Sequence, residues 1–502
     1  MNQLKAGALL NYIVIILNML VGLLYTPYML RMMGQNEYGL YSLVASVISY
    51  LTVLDLGLGN AIVRYTARFR AEGKIIEQYE MFGMFLVLYF VIGIVAFGCG
   101  LGLFFNVEAM FGNTMTVEEL DKARIMMLFL IFNLAFTFPM SIFGSVITAY
   151  ERFVFPKTIN IFRILLNTAI MICLLEMGYK AVAMVILHTV FNVLTLFINF
   201  IYCKYKLRIK IIFRNFQWGL LKEVAVYSLW IFLSVIMDRI YWSTGQFVLG
   251  AFASTAAVAV FAVAIQLQHI YMSFSTAISS VFLPKVTGMV ARNENQQEIS
   301  DLFIRTGRIQ YIVIAFVLTG FILFGKQFII LWAGPEYSDA YLITLLFFVS
   351  LSIPMIQNLG ITILQARNQM KFRSLLYIVV AVFSLVSQIL LAKVYGGIGC
   401  AISISGALLL GQGLIMNFYY WKKQNLNIII FWREIFKMSI VPIFMSVVCM
   451  HLLKFFKLDN WYSLLIAIAI FAVVYIPLFF RFSMNHFEKK LFTPSFKRFY
   501  IR

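Results

Sequence analysis

The sequence predicts an all-α, polytopic integral membrane protein of about 14 transmembrane helices, and three observations lead there. Of its 502 residues, 62% are hydrophobic and only 12% charged, about half the charge of a soluble domain, and the mean hydropathy is +0.90. Apolar runs of membrane-spanning length recur along the whole chain; they are continuous rather than alternating, which excludes an outer-membrane barrel. Basic residues gather in every second segment between the runs, as expected of a helical membrane protein with its positive loops inside.

Taken in order, the runs of roughly 20 apolar residues centre near 18, 51, 93, 136, 168, 191, 236, 268, 320, 350, 384, 408, 445 and 471. The first, in "MNQLKAGALLNYIVIILNMLVGLLYTPYML", lacks a small-residue cleavage site and reads as a spanning helix rather than a signal peptide. With the N-terminus inside, "RYTARFRAEGK", "ERFVFPK", "CKYKLRIKIIFRN", "QARNQMKFRS" and "HFEKKLFTPSFKRFYIR" are inner segments. Only eight of the 40 Lys and Arg then fall outside: Arg31, Lys122, Arg124, Lys180, Lys326, Lys393, Lys454 and Lys457. An even number of spans puts both termini in the cytoplasm. The net charge of +19 is thereby explained by inner loops and anionic lipid, not nucleic acid.

The longest outer segment, "FNVEAMFGNTMTVEELDKAR", is too short to be a domain, so function must reside between the helices. Residues 204–223, "KYKLRIKIIFRNFQWGLLKE", are basic and aromatic and read as an interfacial helix on the inner leaflet. They link an N-terminal lobe, 1–203, holding six spans, to a second lobe, 224–421, holding six more; 422–502 carries the last two spans and a basic tail. An echo between "GQNEYGLYSLVASVISY" and "ASTAAVAVFAVAIQLQH", about 220 residues apart, points to a tandem repeat. "WAGPEY" (332–337) reads as an outer turn with Trp332 and Tyr337 as interface anchors. The five cysteines stand singly in apolar segments, without a metal or redox motif.

Several spans carry polar side chains at helical spacing, so that one face avoids lipid. These seams include Asn11, Asn18 and Tyr25; Asn160, Arg163 and Asn167; His188, Asn192, Thr195 and Asn199; Gln266, His269, Ser273, Thr276 and Ser280; and Asn358, Thr362 and Gln365. Any one of them is explained by interhelical hydrogen bonds of about 0.6 kcal/mol each. Five together suit a polar cavity, and hence a transporter. Candidate cavity residues are Arg163, Arg239, Asn18, Asn160, Asn192, Gln266, His269 and Asn358. Asp55 lies nine residues before Arg64, about 13 Å from the inner helix end, and Asp238 sits mid-span. Both carboxylates are candidates for ion coupling or gating, with a buried ion pair to Arg64 or another arginine as the structural alternative for Asp55.

The stretch "RMMGQNEYGLYSLVASVISYLTVLDLGLGNAIVRYTARFRAEG" resembles the opening of bacterial polysaccharide flippases, the Wzx-type or PST transporters of the multidrug/oligosaccharidyl-lipid/polysaccharide superfamily. "QFVLGAFASTAAVAVFAVA" (246–264), "FGKQFIILWAGPEY" (324–337) and "IPMIQNLGITILQARNQMKFRS" (353–374) extend that resemblance over about 30–375. One departure is Gly245, where many relatives carry an aspartate. The resemblance implies two six-helix lobes around a central cavity, two extra C-terminal helices, and a bacterial cytoplasmic (inner) membrane setting. It also implies export of an undecaprenyl-diphosphate-linked oligosaccharide repeat unit by alternating access, for O-antigen, capsule or similar surface polysaccharide.

The partners expected are the lipid-linked oligosaccharide, membrane lipids, H+ or Na+ as coupling ion, and other proteins of polysaccharide synthesis; no cofactor, metal or nucleic acid is expected. The chain has no P-loop, so it does not hydrolyse ATP by that route. Rival readings are a peptidoglycan-precursor flippase, a multidrug transporter of the same superfamily, and, from another class, a membrane polysaccharide polymerase or glycosyltransferase. The enzyme reading suffers from the lack of a sizeable outer loop; the only acidic cluster outside is Glu118, Glu119 and Asp121.

Overall fold

The structure, a computed structural model, describes residues 3–214, 216, 218–292, 295–367 and 369–491; the end of the basic tail lies outside them, as does the side chain of Ser280. Among the described residues the regular structure is entirely helical. Among these residues, eleven stretches are long and apolar enough to cross a membrane, or twelve if the bent pair Ala340–Ile356 and Asn358–Ala366 forms one span. Fourteen were expected. The runs near 384 and 408 lie in one stretch, Lys371–Lys422, broken where Gly396 takes φ 55° and ψ −132°. The run near 236, which carries Asp238 and Arg239, forms a helix but is not among the eleven.

The chain divides into two compact units, Met1–Ala262 and Val263–Arg502. The first comprises α1 (Gln3–Met33), α2 (Gln35–Leu51), α3 (Leu58–Ala71), α4 (Ile75–Phe105), the short α5 (Val107–Phe111), α6 (Val117–Ala149), α7 (Val154–Glu176), α8 (Ala181–Ile201), α9 (Trp218–Trp242) and α10 (Thr244–Phe252). α11 (Thr255–Ala291) crosses the division. The first unit is organised around α6, which packs against α2, α3, α4 and α8. Small residues permit this: a Cβ on Gly93 would stand 2.9 Å from the Ala135 carbonyl oxygen, and one on Gly100 2.7 Å from Ile131. In lipid, where apolar burial gives no net drive between helices, such close backbone approach supplies the packing energy. A capping box of Thr116 and Glu119 starts α6.

The "GQNEYG" motif acquires a structural meaning. Gly34, at φ 83°, allows the turn from α1 into α2. Glu37 accepts from Lys122 Nζ at 2.6 Å and from the Ala181 amide at 3.4 Å. A Cβ on Gly39 would lie 1.8 Å from the Thr255 carbonyl oxygen, so no larger residue fits that crossing.

The second unit contains α12 (Gln296–Trp332), α13 (Ala340–Ile356), α14 (Asn358–Ala366), α15 (Lys371–Leu408), α16 (Met416–Lys422), α17 (Ile428–Leu452) and α18 (Trp461–Phe482). Phe324, Met438, Met445, Leu464, Phe471 and Tyr475 form a core among α12, α17 and α18. At one end of that core Arg308 is paired with Glu488 at 2.5 Å and with Glu434 at 2.8 Å, and it also donates to the Ser483 carbonyl.

Two expectations are corrected. Residues 204–223 do not form one interfacial helix: a π-helical turn ends at Lys206, residues 207–214 and 216 are irregular, and α9 starts at Trp218. The reason lies in the backbone: Arg208 takes φ 53°, a left-handed conformation through which no right-handed helix continues. The "WAGPEY" turn forms, with Gly334 at φ 123° and a 3-10 turn over Pro335–Tyr337, but Trp332 and Tyr337 are buried at 2% and 0% exposure instead of anchoring at a lipid interface.

Candidate functional site

The first unit holds an open cavity of about 320 Å³ between α2, α6 and α8, near the lower bound of ligand-sized pockets. From α2 and the turn after it come Tyr41, Ala45, Ile48, Ser49 and Thr52; from α6, Leu130, Asn133, Leu134 and Thr137; from α8, Val185 and His188. Asn192 braces the wall from α8, donating from Nδ2 to Asn133 Oδ1 at 2.7 Å and to Thr137 Oγ1 at 2.8 Å. Among the described residues, Asn133 Nδ2 and Asn192 Oδ1 remain unpaired, one donor and one acceptor beside a row of hydroxyls. Such a pair suits a polyol, whose hydroxyls both give and take hydrogen bonds. No carboxylate is among the lining residues.

The cavity's cationic neighbours lie on α7 and α9. Arg163 is half-buried on α7 and close enough to His188 to act on it electrostatically; among the described residues its guanidinium has no hydrogen-bond acceptor or ion-pair partner. Arg239, half-buried on α9, acts likewise on Tyr50, and its Nε is buried without a partner. Next to it Tyr50 is hydrogen-bonded to Thr244, and Ser49 donates to Ser243 at 3.1 Å. An unpaired guanidinium away from bulk water favours an anionic ligand strongly.

Asp55 sits at a break in the long stretch Gln35–Ala71. α2 ends at Leu51, a 3-10 turn covers Thr52–Asp55, Leu56 and Gly57 take φ 53° and 70°, and α3 begins at Leu58. The Asp55 carboxylate accepts from the Tyr89 hydroxyl at 3.0 Å and from the Gly57 amide. Tyr89, fully buried, is also hydrogen-bonded to Ser141. Among the described residues Asp55 is in no ion pair, and Arg64 is exposed beside Tyr65. The pairing with arginine is therefore not formed; neutral donors hold the carboxylate at the break, one turn from the cavity residue Thr52.

The other candidates are spread out. Asn18 is exposed on α1 and donates to its own helix at Val14, Asn160 is half-buried on α7, and Asp238 is exposed on α9. In the second unit, Gln266 is half-buried and His269 exposed on α11, and Asn358 opens α14 after the bend. A polar cluster not anticipated lies beside it: Gln357 donates to Asn417 Oδ1 at 2.7 Å, and Trp432 Nε1 to the same oxygen at 2.8 Å. Asn133, Thr137 and Tyr89 were also missed; an Asn–Thr pair four residues apart in an apolar helix was the available signal.

With this arrangement in view, comparison with known proteins is informative. A family model described as "Polysaccharide biosynthesis protein" matches residues 4–290. The chain belongs to this family. Among solved structures it is similar to the lipid II flippase MurJ in an inward closed conformation, at 16% identity and a TM-score of 0.72, covering 95% of this chain and 98% of that one. It is also similar to inward-facing and outward-facing multidrug resistance MATE transporters of the MOP superfamily. Their values are 14% identity, TM-score 0.58, and 82% of this chain against 99% of that one for the former; and 15%, 0.57, 86% and 97% for the latter. No curated protein matches by sequence. This member of the polysaccharide biosynthesis family is thus a multi-pass membrane protein with the fold of MurJ and the MATE transporters, in agreement with its resemblance to the Wzx-type flippases.

Proposed function

We propose that the protein is a flippase that moves undecaprenyl-diphosphate-linked oligosaccharide repeat units across the bacterial cytoplasmic membrane by alternating access, both termini being cytoplasmic, for O-antigen, capsule or a similar surface polysaccharide. The observation that carries this reading is the first unit's cavity, whose partly apolar lining holds Ser49, Thr52, Asn133, Thr137 and His188 but no carboxylate, and which is flanked by Arg163. Its amide and hydroxyl groups match sugar hydroxyls, its apolar surface matches the faces of sugar rings, and the guanidinium matches a diphosphate. The lipid tail need not enter. A carboxylate-free wall disfavours cationic drugs, and transport of this kind requires no bond in the substrate to break. Asp55 serves as the coupling or gating residue for H+ or Na+.

The MurJ-like fold favours a peptidoglycan precursor as the second reading; it shares the diphosphate-linked sugar chemistry. The test is export of surface polysaccharide in a strain lacking this gene. The wild-type chain is expected to restore it. Arg163→Ala, losing a hydrogen bond to a charged group of about 1.5–3 kcal/mol, is expected to weaken substrate recognition about 10- to 100-fold while inserting normally. Full export by Arg163→Ala would remove Arg163 from the site. Survival of cells depleted of their peptidoglycan flippase, without restored polysaccharide, would favour the second reading.

A further inference from the structure

The stretch between α8 and α9 has a geometry that neither span packing nor the cavity explains. Lys204, Lys206, Arg208, Lys210 and Arg214 are all exposed, and among the described residues none of them is in an ion pair. Phe213 and Trp218 are 68% and 70% exposed, and the ring of Phe216 lies 5.5 Å from that of Trp218. Lys204 stands over the rings of Phe200 and Tyr205. The stretch is not loose chain. The Ile212 amide donates to the Tyr79 carbonyl at 3.2 Å, and Gly83 on α4 leaves room for it: a Cβ there would stand 2.2 Å from the Ile212 carbonyl oxygen.

The cations are exposed, while Leu207 and Ile209 beside them are part-covered. A row of unpaired cations bordered by exposed aromatic rings fits the headgroup layer of a membrane: phosphates for the cations, the region just beneath for the rings. We propose that residues 204–214, with Phe216 and Trp218, form a fixed strap on the first unit that binds anionic phospholipid headgroups. The helix ends it straps, at the start of α4, lie on the side where the sequence gathers its basic loops, so the lipid is that of the same leaflet. The binding is independent of the transported substrate.

Trp218 provides the readout. The full chain is reconstituted into nanodiscs containing phosphatidylcholine and phosphatidylglycerol at fixed mole fraction, with one or the other lipid brominated on its acyl chains. The difference in quenching between wild type and Trp218→Phe isolates the Trp218 signal. Brominated phosphatidylglycerol is expected to quench it more strongly than brominated phosphatidylcholine. The Arg208→Gln/Lys210→Gln variant is expected to lower the preference about fivefold per cation removed, and rising salt to weaken it further. The same loss of charge at Lys454 and Lys457 should leave it unchanged. Native mass spectrometry on the same proteins gives a second measure, with fewer phosphatidylglycerol molecules retained by the strap variant alone. Equal quenching by the two lipids would overturn the proposal. So would a strap that exchanges lipid for a soluble protein, or a preference lost only when the lipid-linked sugar substrate is absent.

Discussion

Replacing Arg308 by alanine is expected to destabilise the second unit by about 3–5 kcal/mol, the usual cost of leaving a buried charge without its partner. Arg308 and Glu488 expose only 5% and 1% of their side chains, and the guanidinium joins α12 to Glu434 on α17 and to the segment after α18. Its removal strands Glu488 in the interior, where a carboxylate is poorly tolerated. Chemical denaturation of the purified protein in micelles measures the loss. The double variant Arg308→Met/Glu488→Gln removes both charges and is expected to be less destabilised than Arg308→Ala, because it leaves no lone buried charge. A loss below about 1 kcal/mol for the single variant would mean that water or lipid headgroups reach Glu488.

The second large effect concerns the helix break. Asp55→Ala leaves the Tyr89 hydroxyl and the Gly57 amide without their acceptor, and an unsatisfied buried group costs about 1–3 kcal/mol. Leu56 in a left-handed conformation adds strain of about 1–3 kcal/mol that these contacts hold in place. Tyr89→Phe removes the donor alone and is expected to be milder. Asp55→Asn separates shape from charge: its amide oxygen still accepts from both donors, so stability is expected to return to near wild type. As the proposed coupling or gating residue, Asp55 is expected to leave polysaccharide export impaired in Asp55→Asn even so. Full export by the stable Asn variant would reduce Asp55 to an acceptor that shapes the break.

How much of this was legible in the sequence depends on the scale of the feature. Fold class follows from apolar run length, because no soluble fold can bury so much apolar surface. The number of spans was less legible, since Gly396 breaks a continuous apolar stretch whose two halves look alike. Asp55 stood out as a mid-span charge, yet its partner, Tyr89, is an ordinary residue 34 positions away that only the packing of α4 against the break brings near. The left-handed pair at 56–57 was also hidden, since leucine rarely adopts that conformation. The irregular path of the strap is hidden in the sequence, because its basic and aromatic content suits an interfacial helix and the left-handed turn at Arg208 leaves no mark in residue type. Residue type points to Trp332 and Tyr337 as interface anchors, whereas tertiary packing buries them. Helical spacing marks Arg163 and Asn192; Asn133 and Thr137 form only a two-residue seam whose use depends on the facing α8.

The most direct measurement is flipping itself. Proteoliposomes containing the purified chain are loaded in both leaflets with a fluorescent undecaprenyl-diphosphate-linked oligosaccharide, and the fraction accessible to an external quencher is followed in time. Wild-type protein is expected to make the inner pool accessible, whereas protein-free vesicles retain it, and Arg163→Ala and Asn192→Ala are expected to slow the exchange. Wild-type vesicles indistinguishable from protein-free ones would contradict the flippase assignment, and variants as fast as wild type would contradict the cavity's part in it.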